Sequence, residues 1–288
     1  MPSQLDASKG RAMSERVLTG RVALVTGASR GIGAAIAERF GRAGATVVVT
    51  ARTVDASTSP LEGTILETTE RIRAAGGSAV AIAADVSVPA ERVRLVAAAV
   101  AEVGPIDVLV NNAAVTYFAP VADFSAKRIQ LMWEVQVLAA LHLSQLVLPA
   151  MAAKGQGWIL NICSGAARHP VAADAAARGA VGGTVYGMCK AALERLSTGL
   201  AAEGYPHHVA VNALSPNRVV PTPGTLFHHL VRPDDPTQVV EDPAVMAEAA
   251  LALCSAEPTS RTGRIAYSQD LLDELGITVP VVADGARA

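Results

Sequence analysis

Two groups of residues in this 288-residue chain have types and spacings that could do chemistry. The first is Tyr186 with Lys190, four positions apart in a helix-patterned stretch and so on one face of a helix. A free phenol has a pKa of about 10. An ammonium beside it favours the phenolate and lowers that value. Such a pair can give or take a proton at a reacting oxygen. Taken alone, the same spacing is also an ordinary helix-surface pair. The second group is Thr26-Gly27-Ala28-Ser29-Arg30-Gly31-Ile32-Gly33, between a strand pattern and a helix pattern. Glycines there let the backbone turn tightly and approach a pyrophosphate, and the helix N-terminus beyond offers N–H groups and partial positive charge. A glycine-rich turn without a ligand is the alternative, but strand–turn–helix is the setting that a dinucleotide motif requires.

The elements that must hold these groups follow from patterning. Short β-branched and apolar runs at 21–26, 46–50, 79–84, 106–110, 158–162 and 209–213 read as strands. Helical patterns at 33–43, 66–75, 90–103, 125–152 and 185–202 separate them. Regular alternation implies right-handed crossovers and one parallel sheet covered on both faces, a doubly wound α/β fold. Composition agrees, with 51% hydrophobic, 17% charged and 3% aromatic residues. Disordered and coiled-coil classes are thereby disfavoured. A net charge of -2 gives no basic surface for nucleic acid or anionic membrane. No run reaches the roughly 18 apolar residues of a membrane span. Residues 1–18 read as a polar tail without a signal-peptide core, and 19–288 as one domain. Cys163, Cys189 and Cys254 are few, odd in number and lack metal spacing, so a reducing cytoplasm is the plain reading.

Further matches fall in chain order: Asn111-Asn112-Ala113-Ala114 after the fourth strand, Ser164 after the fifth, and Tyr186-x-x-x-Lys190 on the next helix. With the T-G-x-x-x-G-x-G loop they make residues 18–216 resemble the short-chain dehydrogenase/reductase family. The long gap before Tyr186 is similar to that of some actinobacterial members. The resemblance implies a Rossmann-type domain with a nicotinamide cofactor at the strand carboxyl ends. Gly27, Ser29, Gly31, Ile32, Gly33, Asn112, Ala113 and Pro216 would line the cofactor. Asp85 and Val86 would meet the adenine, although a helix-capping Asp85 before Ser87 is the other reading. Thr222 would contact the nicotinamide carboxamide. The resemblance makes Tyr186 the general acid/base, has Lys190 hold the ribose hydroxyls, and puts Ser164 on the substrate oxygen. It also implies a homo-oligomer packed through the helix at 125–152 and the Tyr-bearing helix.

An acidic residue ending the second strand would select NAD(H) through a ribose hydroxyl. Here Thr50-Ala51-Arg52-Thr53 stands there, with no carboxylate until Asp55. Arg52 and Arg30 suit a 2′-phosphate, so NADP(H) is favoured over NAD(H). Two solvated surface arginines are the alternative.

Departures from the family pattern carry further expectations. Gln136 stands where relatives place an Asn that holds a water linked to the Lys. It keeps the amide one methylene further out and is expected to act in catalysis through a proton relay. Asn217 stands where Gly is usual, in a turn that tolerates left-handed backbone. Cys163 and Cys189 are expected to pack as small apolar residues; sensitivity to oxidation beside the catalytic positions is the alternative. The segment 166–184, with Arg168, His169, Asp174 and Arg178 and glycines at 179, 182 and 183, reads as a flap or a surface insertion. The Pro-rich segment 216–243 reads as a substrate loop. Its His228-His229 and Asp234-Asp235 are too few for a metal site. The expected function is interconversion of a carbonyl and an alcohol on an apolar small molecule. A nicotinamide-nucleotide sensor, or a lyase or epimerase on the same scaffold, is the alternative.

Overall fold

Strands covered by helices on both faces bury all their side chains, which is why they read as unbroken apolar runs. The computed structural model describes residues 16–55, 57, 59–172, 182–232, 235 and 237–279. β1 (Val22–Thr26), β2 (Thr46–Thr50), β3 (Ser78–Ala81), β4 (Val108–Asn111), β5 (Gly157–Ile162), β6 (Val209–Ser215) and β7 (Ile265–Tyr267) form one sheet. The order is β3-β2-β1-β4-β5-β6-β7 and every pairing is parallel. The chain starts in the middle of this sheet, winds to one edge, and returns beside β1 as β4. That reversal opens a crevice at the carboxyl ends of β1 and β4. The architecture is a single Rossmann-type domain.

One face is covered by α1 (Gly31–Arg42), α2 (Ile65–Ala74), α8 (Pro243–Ser255) and α9 (Ser268–Leu275), whose Ile36, Phe40, Ile72, Leu251 and Leu272 join one core. The other carries α3 (Pro89–Val103), α4 (Ala126–Trp133), α5 (Ala139–Lys154) and α6 (Thr184–Gly204). A short helix, α7 (Pro223–Phe227), lies within the 216–243 segment. Thr64 and Glu67 form a reciprocal capping box that starts α2.

Three expectations are corrected. The continuous helix at 125–152 is instead α4 and α5 joined by a π-helical turn, Glu134–Leu138, which contains Gln136. A π turn inserts an extra residue and re-aims the side chains it carries. α8 and α9 add two helices in a stretch where the sequence pattern assigns none. In α8 every residue from Met246 to Cys254 is buried, so the helix has no polar face and shows no amphipathic period. Finally, Ala126–Lys154 spans 29 residues and is apolar enough by composition to cross a membrane, with half of its most apolar window buried. Packing of Leu143, Val147 and Met151 against the sheet accounts for that apolar character.

Candidate active site

The glycine loop is stapled to the neighbouring strand. Thr26, ending β1, donates its hydroxyl to Val110 O (3.2 Å) and accepts from the amides of Asn112 (2.9 Å) and Ala113 (3.1 Å). Asn112 Nδ2 donates to Thr26 O (2.9 Å) and Gly27 O (3.1 Å). This closeness explains the glycines. A Cβ at Gly33 would lie 2.3 Å from Asn112 Nδ2 and 2.4 Å from Gly27 O. Gly27 and Gly31 have φ of 65° and 56°, the left-handed region that costs glycine least. No side chain caps the first turn of α1, so a cradle without side chains opens at a helix N-terminus, as a pyrophosphate requires. Thr222 closes over it, with its methyl 2.9 Å from where a Gly31 Cβ would lie. Buried Ser29 and half-buried Ile32 belong to the same loop, and Pro216 follows β6.

Arg30 is held in place. Its guanidinium donates to Ser29 Oγ (3.3 Å), Ser59 Oγ (3.1 Å) and Gly63 O (2.7 Å). Burial lowers its pKa, Glu67 opposes this, and Arg52 adds to the lowering. Arg52 lies 61% exposed, 4.0 Å from Asp85 Oδ2. Asp85 Oδ1 accepts from Ser87 N (2.9 Å) and Oγ (2.7 Å), a local turn rather than a helix cap, since Val88 is the N-cap of α3 and no side chain caps that helix. Val86 is buried beside it. In the loop at 54–63 the described residues Ser59 and Gly63 thus hold the Arg30 guanidinium.

Lys190 and Tyr186 come together on α6 beside the carboxyl end of β5, and Ser164 follows that strand by two residues. Lys190 is 3% exposed, and its Nζ donates to Ile162 O (2.9 Å), the last residue of β5. The same Nζ sits 5.6 Å from the Tyr186 ring centroid. Ser164 caps the 3₁₀ turn Gly165–Ala167, accepting from Ala166 N (3.3 Å). Gly187 lets that turn lie against α6, since a Cβ there would meet Ala166 O at 2.6 Å.

Gln136 is 2% exposed and donates Nε2 to Val115 O (3.0 Å), which leaves its buried Oε1 without a partner. Asn111 Oδ1 is in the same position. Its orientation is fixed by a relay of donors: Asn111 Nδ2 to Asn161 Oδ1 (2.9 Å), Asn161 Nδ2 to Ser197 Oγ (2.8 Å), and Ser197 Oγ to Leu193 O (2.8 Å). Gln136, Asn111, Lys190 and Thr26 line one enclosed cavity, of roughly the size of a single water.

One expectation needs correction. Asn217 does not adopt a left-handed turn; it caps α9, accepting from Gln269 N (2.8 Å) and donating to Asp270 Oδ1 (2.8 Å). Cys163 and Cys189 are buried, as expected of small apolar residues, and burial pushes the Cys163 and Cys254 thiols up to about 12. Thiolate is the reactive form. Iodoacetamide should therefore label none of the three in the native protein and all three after denaturation, as read by mass spectrometry. Among the described residues no group of three metal-ligating side chains occurs. Asp174, Arg178, Gly179 and Asp234 lie outside the described residues. Thr26 and Asn111 stand in the motifs read from sequence but without a role of their own, and Ser59 and Phe118 carry no sequence signal, because their partners are distant in the chain.

The short chain dehydrogenase family model matches residues 21–225. The chain is 35% identical over 205 residues to the ketoacyl reductase HetN of a Nostoc species, covering 71% of this chain and 66% of that protein. Among solved structures, a 7α-hydroxysteroid dehydrogenase complexed with NADH and 7-oxo glycochenodeoxycholic acid superposes with TM-score 0.75 at 30% identity, covering 89% of this chain and 96% of that one. A metagenomic short-chain oxidoreductase in complex with NADP gives TM-score 0.70 at 31% identity, covering 87% and 97%. With strand order, glycine loop and Tyr–Lys pair all in agreement, the chain belongs to the short-chain dehydrogenase family.

Proposed function

We propose that this protein is an NADP(H)-preferring oxidoreductase that interconverts a carbonyl and an alcohol, with Tyr186 as the group that moves the proton. The observation that carries the proposal is the buried Lys190 ammonium, fixed by Ile162 O and lying 5.6 Å from the Tyr186 ring, beside Ser164. Gly27, Gly31 and Gly33 leave a cradle that a Cβ would fill, so the residues present fit a dinucleotide pyrophosphate. A nicotinamide cofactor, when bound there, supplies or accepts the hydride. In reduction the Tyr186 hydroxyl donates its proton to the carbonyl oxygen, and in oxidation the phenolate takes the alcohol proton. Ser164 Oγ donates a hydrogen bond to the same oxygen and steadies developing charge. Lys190 stabilises the phenolate that reduction leaves. Retention of activity when Tyr186 loses its hydroxyl would refute this reading.

Reprotonation of Tyr186 needs a path inward. A water in the cavity beneath Lys190 would accept from Nζ and donate to Gln136 Oε1 and Asn111 Oδ1, two unpartnered oxygens of residues that line it. About three hydrogen bonds is the usual complement of a buried water. Gln136→Ala is expected to lower kcat at least roughly tenfold and to change its pH profile, with Gln136→Asn retaining part of the rate. Unchanged kcat across pH in both variants would remove Gln136 from the relay.

For the cofactor, Arg30 and Arg52 supply positive charge at the end of β2, where the chain itself has no carboxylate before Asp55 and Asp85 lies 4.0 Å from Arg52. Charged hydrogen bonds contribute roughly 1.5–3 kcal/mol each, and exposure of Arg52 puts it at the low end. Arg52→Ala should therefore reduce kcat/KM with NADPH about tenfold and leave the NADH value nearly unaltered. Equal kcat/KM for the two cofactors in the parent protein would contradict the preference. Two copies are proposed to pair through α5 and α6, where Leu138 beside α5 and Met188 on α6 present exposed apolar side chains.

A further inference from the structure

Aromatic residues are 3% of the chain, yet an unbroken run of rings leads away from Tyr186. The Phe118 ring lies 5.7 Å from that of Tyr186 at 61°, and 6.2 Å from the His228 ring at 81°. The His228 ring in turn lies 5.3 Å from Phe227 at 84°. Each contact is edge-to-face, the arrangement that the ring quadrupole favours, and it leaves alternate faces and edges open. Phe118 and Phe227 remain 39% and 58% exposed, whereas Phe40 and Trp158 are fully buried in the core.

The run is assembled from three distant segments, and each is fixed. Ala119 donates its amide to Gly182 O (3.2 Å), tying the Phe118 segment to the start of the Tyr186 helix. Gly182 permits that approach with φ of +92°, and a Cβ there would meet the Ala119 backbone at 2.9 Å. Phe227 and His228 end α7, whose first turn is locked by the Thr222–Thr225 capping box, with Thr222 seated on Gly31. The rings therefore form a preformed wall that begins at the proposed proton donor.

We propose that Phe118, Phe227 and His228 receive the ring of an uncharged cyclic alcohol or ketone and hold its oxygen-bearing carbon before Tyr186. The proposal rests on the oxidoreductase reading given above. A ring presents C–H edges to open aromatic faces and its own face to open edges, so it matches an edge-to-face wall, whereas a linear chain touches only one row of carbons. Among the described residues the run itself holds no carboxylate or ammonium, and beyond Tyr186 its one polar ring is His228, which suits an uncharged ring.

The test compares 1-tetralone with 2-hexanone as substrates, using NADPH and the full-length protein. The parent protein should favour 1-tetralone at least tenfold in kcat/KM. Phe227→Ala should cut that ratio at least fivefold, and Phe227→Tyr, which keeps the ring, should restore it. A preference for 2-hexanone, or a ratio that Phe227→Ala leaves unmoved, overturns the proposal while leaving the oxidoreductase reading intact. Absence of turnover with any carbonyl would count against that reading instead. The wall is then judged by 1-tetralone binding to the NADPH-loaded protein, measured by saturation-transfer NMR. Binding weakened at least fivefold in Phe227→Ala supports the wall, and binding that is absent or insensitive to the substitution overturns it.

Discussion

Tyr186→Phe is expected to lower kcat for carbonyl reduction by roughly 10³-fold with binding of NADPH retained. The substitution removes one hydroxyl and little else. The Tyr186 ring packs beside Met132, Val185 and Cys189, and a phenyl ring keeps those contacts. Lys190 keeps its hydrogen bond to Ile162 O, which is made by Nζ and not by the phenol. The fold and the cradle at Gly27–Gly33 should therefore survive, and the loss should fall on the proton transfer. Steady-state kinetics with a responsive ketone, together with a fluorescence titration of NADPH, separates the two effects. A variant that keeps most of its kcat would show that another group supplies the proton.

Gly33→Ala should have a comparably large effect on a different step. The added Cβ would sit 2.4 Å from Gly27 O and 2.3 Å from Asn112 Nδ2. The carbonyl belongs to the loop backbone, and the amide is tied to Thr26 O and Gly27 O. Neither can withdraw without opening the loop. Overpacking of this kind costs roughly 1–3 kcal/mol of stability. A loop that opens also loses its backbone N–H groups as anion donors. NADPH affinity should fall about 100-fold or more, because several charge-assisted bonds of roughly 1.5–3 kcal/mol each depend on that one conformation. Gly183→Ala is the matched control: its φ is -84° and nothing lies within 4 Å of the added carbon. Thermal melts and NADPH titrations of both variants check the contrast, and equal behaviour of the two would contradict the packing argument.

Much of the fold could be read from local pattern because its determinants are local. β1, β2 and β5 are apolar runs ended by turn residues, and α1 follows a glycine loop whose spacing needs no distant partner. The features that escaped notice depend on distance. α8 is buried on every side, a property conferred by its neighbours and without a periodic signature. The π turn at Glu134–Leu138 is a local compromise within an otherwise helical pattern. The two unpartnered oxygens of Asn111 and Gln136 come from different elements, and only folding shows that they line one cavity with Lys190. The role of Asn217 was misread because its partners, Gln269 and Asp270, lie more than fifty residues onward. For the candidate site, the motif spacing points to Ser164, Tyr186 and Lys190, and the fold seats the Lys190–Tyr186 pair beside the end of β5, the strand that Ser164 follows. Arg30 is legible from its place in the glycine loop and its charge, whereas its anchoring by Ser59 and Gly63 depends on a loop with no helical or strand period.

The central claim is hydride exchange between a nicotinamide cofactor and a carbonyl carbon at Tyr186. Its most direct test uses NADPH deuterated at the nicotinamide C4 position, incubated with the protein and a panel of cyclic and linear ketones, with mass spectrometry of the products. The expected result is an alcohol carrying one deuterium on its carbinol carbon, formed in step with oxidised cofactor and lost in Tyr186→Phe. Binding of NADPH with no label in any product across the panel would contradict the claim and favour a nucleotide sensor built on this fold.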